Sequence, residues 1–442
     1  MPDHEPIALP QRRLDVRHAV AVCVGMVIGA GIFKTSPMVA GALASEAQLY
    51  AAWALGGLLS FVGALCFAEL AAAFPDAGGD YHFLRRAYGQ RLGFLFAWSR
   101  FAVIHTGSMA LLGFVFGDYL AQAVDLAPWL GPQAGAWLAA ALILLLTGLN
   151  LAGVHVGLGT QLSLMSVVLG GLALLGLAGV AAPSAPAAPP EAAAVATSDW
   201  GTAMIFVFLA YGGWSDAATL SAEMRDARHG ITRALLTGLA LVMGLYLLAN
   251  WAYLRGLGLA GLAASGAPAA DLMRAAFGRG GELVMVGIVT LTALSVMNAI
   301  LIAGPRTTYA AARDLARALR LGQWNARRGT PTAAVLATSA VALALVGFGA
   351  ATRGGFATMV DYLSPIYWFF LCLSGGAVIV LRRREPAMLR PFKVPLYPLL
   401  PLLFIACCAY LLWASLVYVK AGALVGLAVL ALGALLLLLL RR

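Results

Sequence analysis

The sequence predicts an all-α, polytopic membrane protein of about twelve spans, and three observations predict it. The 442 residues are 62% hydrophobic and only 11% charged, far from the balance of a soluble chain. Apolar runs of about 20 residues, the length that crosses a bilayer core, recur along the whole chain. These runs are continuous rather than alternating, which excludes a transmembrane β-barrel. The expected spans lie near 19–43, 50–74, 94–122, 134–152, 157–181, 200–221, 233–255, 280–311, 331–350, 356–381, 397–418 and 422–440.

The net charge of +10 reflects topology, and no nucleic acid partner is expected. With the N-terminus inside, Arg12, Arg13, Arg17, Arg85, Arg86, Arg91, Arg225, Arg228, Arg233, the 306–328 cluster, Arg382 to Arg384, Arg390, Lys393, Arg441 and Arg442 all fall on the cytoplasmic side. Outside lie only Arg255, Arg274, Arg279, Arg353 and Lys420. This asymmetry places both termini in the cytoplasm. The first 18 residues are polar and basic, and the apolar segment after them lacks a cleavage site, so no cleavable signal is expected. All five cysteines fall inside apolar spans. No disulfide framework, metal or organic cofactor is expected. No Walker sequence and no soluble domain are seen, so nucleotide-driven pumping is not expected.

Span 1 carries the first unusual stretch, Val24-Gly-Met-Val-Ile-Gly-Ala-Gly-Ile-Phe-Lys-Thr-Ser-Pro37. Three glycines there cost a helix about 1 kcal/mol each. They serve either close helix packing or a break that aims free backbone N–H groups at an anion. Span 6 holds a second interruption, Phe208-Leu-Ala-Tyr-Gly-Gly-Trp-Ser-Asp216. Each interruption opens a group of five spans, the pattern of an inverted-repeat transporter site. That pairing favours broken helices over packing.

The other polar groups follow in chain order. Glu69, near the inner rim of span 2, either snorkels or pairs with Arg85 or Arg86, which is the favoured reading, or serves transport. Pro75 and Gly78-Gly79 turn the chain into a short amphipathic element, Tyr81 to Tyr88. In span 3, His105, Thr106 and Ser108 sit in apolar sequence, and His105 is either a proton carrier or a hydrogen-bonded neutral group. Asp118 reads as a rim residue. Residues 181–198 form an Ala/Pro-rich external loop. Thr290, Thr292, Ser295 and Asn298 of span 8 either coordinate a small cation or bond back to their own helix.

These residues resemble the amino acid–polyamine–organocation (APC) superfamily, and within it the bacterial amino acid permeases. Ile28-Gly-Ala-Gly-Ile-Phe33, Ala68-Glu-Leu with Pro75-Asp-Ala-Gly-Gly-Asp-Tyr81, and Ala210-Tyr-Gly-Gly-Trp214 carry the likeness. Glu223 to Ala234, Tyr309 to Asp314 and Arg390-Pro-Phe-Lys-Val-Pro395 support it. The resemblance implies a LeuT-like fold with a 5+5 inverted repeat and broken helices 1 and 6. It divides the chain into a tail (1–18), a first repeat (19–181), an external loop (182–199), a second repeat (200–381), a basic inner loop (382–396) and two peripheral helices (397–442). It implies that a substrate carboxylate meets the N–H groups of Ala30 and Gly31, beside Gly29. The ammonium meets the carbonyls of Val27, Ile28, Leu209 and Ala210, near Tyr211 and Gly212. His105, Ser108, Ser215, Asp216 and Trp368 then set selectivity.

Three departures from the family pattern stand out. Leu209 occupies the place of an aromatic gate, Ile231-Thr-Arg-Ala234 replaces Ile-Pro-Arg-Ala, and Gly170 stands where several cation-independent relatives carry Lys. Coupling thus stays open between exchange and H+ or Na+ symport, with Asp216, His105 and Ser295 as candidates. The expectation is a secondary transporter of amino acids, first of all neutral ones, in the bacterial inner membrane, with oligomeric state open. A cationic amino acid or polyamine carrier using Asp216 is the alternative, and a non-transporting sensor stands behind it. No nucleophile–base motif supports an enzyme.

Overall fold

The computed structural model describes residues 15–29, 31–76, 78–124, 126–152, 158–185, 198–222, 224–315, 320–325, 330–352, 354–419 and 422–439. Among these, every extended regular element is a helix, and the lone β-bridge joins Asn325 to Thr330. Among the described residues, ten helices are long and apolar enough to cross a membrane, and the bent pair Val16–Val27 and Ile32–Ala42, counted as one span, makes an eleventh. A shorter apolar helix, Gly426–Leu437, lies where the twelfth is expected.

Spans 2, 3, 4 and 5 are Glu46–Ala73, Gln90–Ala123, Ala134–Leu151 and Leu158–Ala181. Span 6 begins as Trp200–Tyr211 and resumes after a turn as a 3-10 helix, Asp216–Ala222. Spans 7 to 11 are Ala227–Ala264, Pro268–Leu315, Thr332–Ala351, Gly355–Arg384 and Leu399–Val419. Spans 7 and 8 extend beyond their expected ends because each includes a short helix joined across a kink. The kinks fall at Gly258 and Gly278, both with φ of 67°. Side chains set several starts. Ser45 accepts from the Gln48 N–H before span 2, and Asp199 accepts from the Thr202 N–H before span 6, each satisfying a first-turn donor. Three arginines close span 10, where the helix dipole favours positive charge.

Spans 1, 2, 6 and 7 pack on one another, and spans 3, 4, 8 and 9 form a second group. Span 5 lies against spans 7 and 8, and span 10 against spans 3 and 11. Leu58, Leu144, Leu177 and Trp413 point outward and exposed, as the apolar shell of a bilayer-embedded bundle requires. Polar contacts fasten the second group. The Asn150 amide donates to the Asn298 carbonyl oxygen at 2.9 Å, and the Thr147 and Ser339 hydroxyls meet at 2.7 Å. Thr290 and Thr292 donate to Val286 O and Ile288 O, both at 2.7 Å, which is the back-bonding reading of those hydroxyls.

Glu69 corrects an expectation. It pairs neither with Arg85 nor with Arg86 but with the last turn of span 10 and the loop after it. Arg382 grips it through Nε at 2.7 Å and Nη2 at 2.5 Å, Arg390 Nε lies at 3.5 Å, and the Val394 N–H donates at 2.7 Å. Packing of span 10 and its loop over the end of span 2 puts these donors nearer than the short helix Asp80–Tyr88. Arg86 turns instead to Glu385, with two contacts of 2.7 Å. The buried carboxylate therefore has a full set of donors, the condition under which an ion pair survives burial. These residues define an Arg-rich end of the bundle. Most of the expected Ala/Pro-rich loop, together with Ala30 and Glu223, lies outside the described residues.

Candidate functional site

Span 1 bends by 51° between its halves. Helical bonding stops at Ile28, whose ψ is 77°, and the Gly29 N–H closes a tight turn onto Val27 O at 2.8 Å. The second half restarts when Gly31 O accepts from the N–H groups of Lys34 and Thr35 at 2.9 and 2.8 Å. The N–H groups of Ile32 and Phe33, ahead of those two, belong to the turn whose donors a helix leaves free, and they carry its positive dipole end.

In span 6 the Gly212 N–H donates to Leu209 O at 3.1 Å, and Gly213 takes a φ of 99°. Only glycine adopts that conformation cheaply. It also allows close approach: a Cβ on Gly213 would overlap the Met26 carbonyl oxygen and lie 3.0 Å from its carbon. On the other side, a Cβ on Gly31 would stand 3.3 Å from Ala210 Cα. The two interruptions thus face each other backbone to backbone. The structure brings Val27, Ile28, Gly29 and Gly31 together with Leu209, Ala210, Tyr211 and Gly212. Ala30 is outside the described residues.

Tyr246 of span 7, absent from the sequence expectation, joins the breaks. Its hydroxyl lies 3.0 Å from Val27 O and 2.9 Å from Ala210 O. One proton cannot satisfy two carbonyls at once, so acceptor capacity remains there. Trp53, Tyr211 and Tyr246, all fully buried, form an aromatic wall with centroids 5.1–5.8 Å apart. Leu209, in the aromatic-gate position, is half-buried, while Phe208 packs edge-on against Trp368 at 5.8 Å.

The selectivity candidates separate into two sets. Ser215 bonds Tyr367, next to Trp368. His105 and Asp216 are brought together by a residue the sequence reading passed over, Arg100. Its Nη2 lies 2.6 Å from Asp216 Oδ1 and 3.0 Å from His105 Nε2, and its Nε lies 3.2 Å from the same nitrogen. Arg100 opens a π-helical segment, Arg100–His105, inside span 3. Such a bulge swings side chains out of the regular register. Ser108 is half-buried one turn further on. A charged residue inside an apolar span is a functional candidate by default, so Phe-Ala-Trp-Ser-Arg-Phe-Ala was the signal for Arg100.

Ser295 lies elsewhere. With Thr292 it lines a cavity of about 20 Å³ bounded also by Val24, Gly25, Ile28, Leu164, Met165, Val168, Leu169 and Val296. This is room for about one water. Nothing would meet a Cβ at Gly170 within 4 Å. Among the described residues, no group of three or more His, Cys, Asp or Glu is arranged to hold a metal.

On the far side of the breaks, away from the Arg-rich end, Lys34 Nζ contacts Asp118 Oδ2 at 2.7 Å and Gly266 O at 2.8 Å. The Tyr119 hydroxyl donates to Phe33 O at 2.6 Å. Asp118 is therefore a rim residue with a partner, tying span 1 to span 3.

A family profile described as "Amino acid permease" matches residues 14–437 of this chain. The chain belongs to this family. It is 27% identical over 424 residues to the serine/threonine exchanger SteT of Bacillus subtilis (strain 168), covering 92% of each chain. It is 28% identical to the human large neutral amino acids transporter small subunit 2, over 92% of this chain and 76% of that one. With the human Asc-type amino acid transporter 1 it shares 27% identity, over 92% and 78%. Membership makes the permease an amino acid transporter rather than an enzyme.

Proposed function

We propose that this permease exchanges neutral amino acids across a bacterial inner membrane, with its Arg-rich end and both termini in the cytoplasm. One observation carries the choice of neutral substrate: Asp216, the acid considered as a counter-charge for a cationic side chain, is already held by Arg100 at 2.6 Å. A cationic substrate would have to strip that partner away, leaving Arg100 without its counter-charge, whereas a neutral side chain disturbs nothing. The facing breaks supply what an α-amino acid shares with all others. N–H groups at the start of Ile32–Ala42 suit the carboxylate, and the carbonyls of Ile28, Val27 and Ala210 suit the ammonium. His105, Ser108, Ser215 and Trp368 then shape the side-chain compartment. Exchange is supported by likeness to a serine/threonine exchanger and by the small cavity beside Ser295, which holds no described charge. On this reading residues 19–181 and 200–381 are the two repeats that rock about the breaks.

The test is proteoliposomes loaded with unlabelled serine, threonine, leucine, arginine or putrescine and offered labelled neutral amino acids. Uptake should appear only with a neutral amino acid inside, without an ion gradient. Uptake driven by a H+ or Na+ gradient into empty vesicles would replace exchange by symport. Counterflow only with arginine or putrescine would replace the neutral substrate. Binding without any flux would make the protein a sensor.

A further inference from the structure

The cluster around Arg100 has one member that the transport reading leaves unused. Asp80 opens the helix Asp80–Tyr88 at the Arg-rich end. It is only 7% exposed, and its Oδ1 has no hydrogen-bond partner among the described residues. Its helix packs on the start of span 3, on the inner part of span 6 and on span 10. From these elements Asp80 is within electrostatic reach of Arg100, Asp216 and Tyr367, and His105 stands behind Arg100. On its own segment His82 is engaged with Asp76 at 3.3 Å, Arg86 with Glu385, and Arg85 is exposed.

Charge counting makes this arrangement informative. Guanidinium nitrogens only donate, so the His105 Nε2 that faces Arg100 accepts, and the ring is the uncharged tautomer with its proton on Nδ1. One positive charge therefore confronts two carboxylates. Asp216 holds it directly, and Asp80 is left as a buried acid with an unbonded oxygen. An unmatched buried carboxylate is costly, and taking up a proton removes the cost.

We propose that Asp80 is a proton-binding site of the transport cycle, and that its ionisation loosens the Arg100–Asp216 tie on the cytoplasmic half of span 6. Burial pushes the Asp80 carboxyl up to about 7; Arg100 pulls the other way, and Asp216 adds to the rise. Below that pH Asp80 is neutral, Arg100 belongs to Asp216, and the tie holds. Above it, anionic Asp80 competes for Arg100 and the inner half of span 6 is freed. A proton on Asp80 thus favours closure toward the cytoplasm, and its loss favours opening. The consequence for flux rests on the transport reading; the proton site itself does not.

Infrared difference spectroscopy on the purified full chain reads the site without flux. The wild type should show a protonated-carboxyl band that is lost with a midpoint near neutral pH, and Asp80→Asn should lack it. Absence of such a band in the wild type, or its persistence in Asp80→Asn, would overturn the proposal. Should Asp80→Asn not fold, Asp80→Glu keeps the carboxyl and must move the midpoint; an unmoved midpoint overturns the proposal equally. In proteoliposomes with inner and outer pH varied separately, exchange should depend on cytoplasmic-side pH in the wild type and lose that dependence in Asp80→Asn. An identical pH profile in the two proteins also overturns it. A titrating band with no flux of any amino acid would refute the transport reading and leave the proton site standing.

Discussion

Gly213→Ala puts the facing breaks to a quantitative test. Two costs arise at this position. The backbone holds φ at 99°, where a Cβ costs about 1–2 kcal/mol. The methyl would also overlap the Met26 carbonyl oxygen and stand 3.4 Å from Val27 Cα, and overpacking of this kind costs about 1–3 kcal/mol. The neighbour is backbone, so it cannot rotate away as a side chain would. Relief must come from separating span 6 from span 1, which moves acceptors on one wall away from donors on the other. Together the terms amount to roughly 2–5 kcal/mol, and at 1.4 kcal/mol per tenfold this is about a 30-fold loss of affinity or more. Equilibrium binding of a labelled neutral amino acid to detergent-purified protein reads the affinity, and thermal unfolding of the same sample reads any part expressed as lost stability. An alanine variant with wild-type affinity and wild-type melting would refute the claim that these backbones must touch.

Tyr246→Phe removes the hydroxyl shared by Val27 O and Ala210 O; leaving buried acceptors short by a donor costs about 1–3 kcal/mol. A fall in melting temperature together with a changed substrate affinity is expected, and an unchanged affinity would show that the bridge is purely structural. Glu69→Gln breaks the buried contacts to Arg382 and Arg390, for which about 3–5 kcal/mol is typical, so thermal unfolding should drop sharply while Glu385→Gln, at a more exposed pair, should cost about 1 kcal/mol or less. A double-mutant cycle on Lys34→Met and Asp118→Asn should give a coupling of about 1 kcal/mol or less, because the Asp118 side chain is 39% exposed. The same pair should affect access from the side opposite the Arg-rich end, read by labelling of single cysteines placed on span 1 or span 3; unaltered labelling would exclude a latch there.

The membrane class and the spans were legible because bilayer thickness imposes a length on every apolar run, and the structure needs no other rule to explain spans 2, 4, 9 and 11. Both breaks were legible because glycine pairs are costly at mid-membrane unless the backbone uses them. What the sequence hid was partnership across the fold. Arg100 was passed over inside Phe-Ala-Trp-Ser-Arg-Phe-Ala, although a lone cation there called for a named partner. That partner, Asp216, lies 116 positions away, so no local pattern links them. Tyr246 was invisible for a related reason: a tyrosine in an apolar span reads as packing until tertiary structure sets its hydroxyl between two freed carbonyls. Glu69 was given the nearest arginines in sequence, and the fold supplied Arg382 from the end of span 10 and Arg390 from the segment after it. The helices beyond Gly258 and before Gly278 were missed because hydropathy marks apolar length, not direction.

The central claim is that an amino acid lies between the breaks of spans 1 and 6. A cryo-electron microscopy structure with a bound neutral amino acid tests it most directly. Density with the carboxylate against the N–H groups at the start of Ile32–Ala42, the ammonium beside Ile28, Val27 and Ala210, and Arg100 still on Asp216 is the expected result. An amino acid bound in the Ser295 cavity, or with its ammonium on Asp216, would contradict the account.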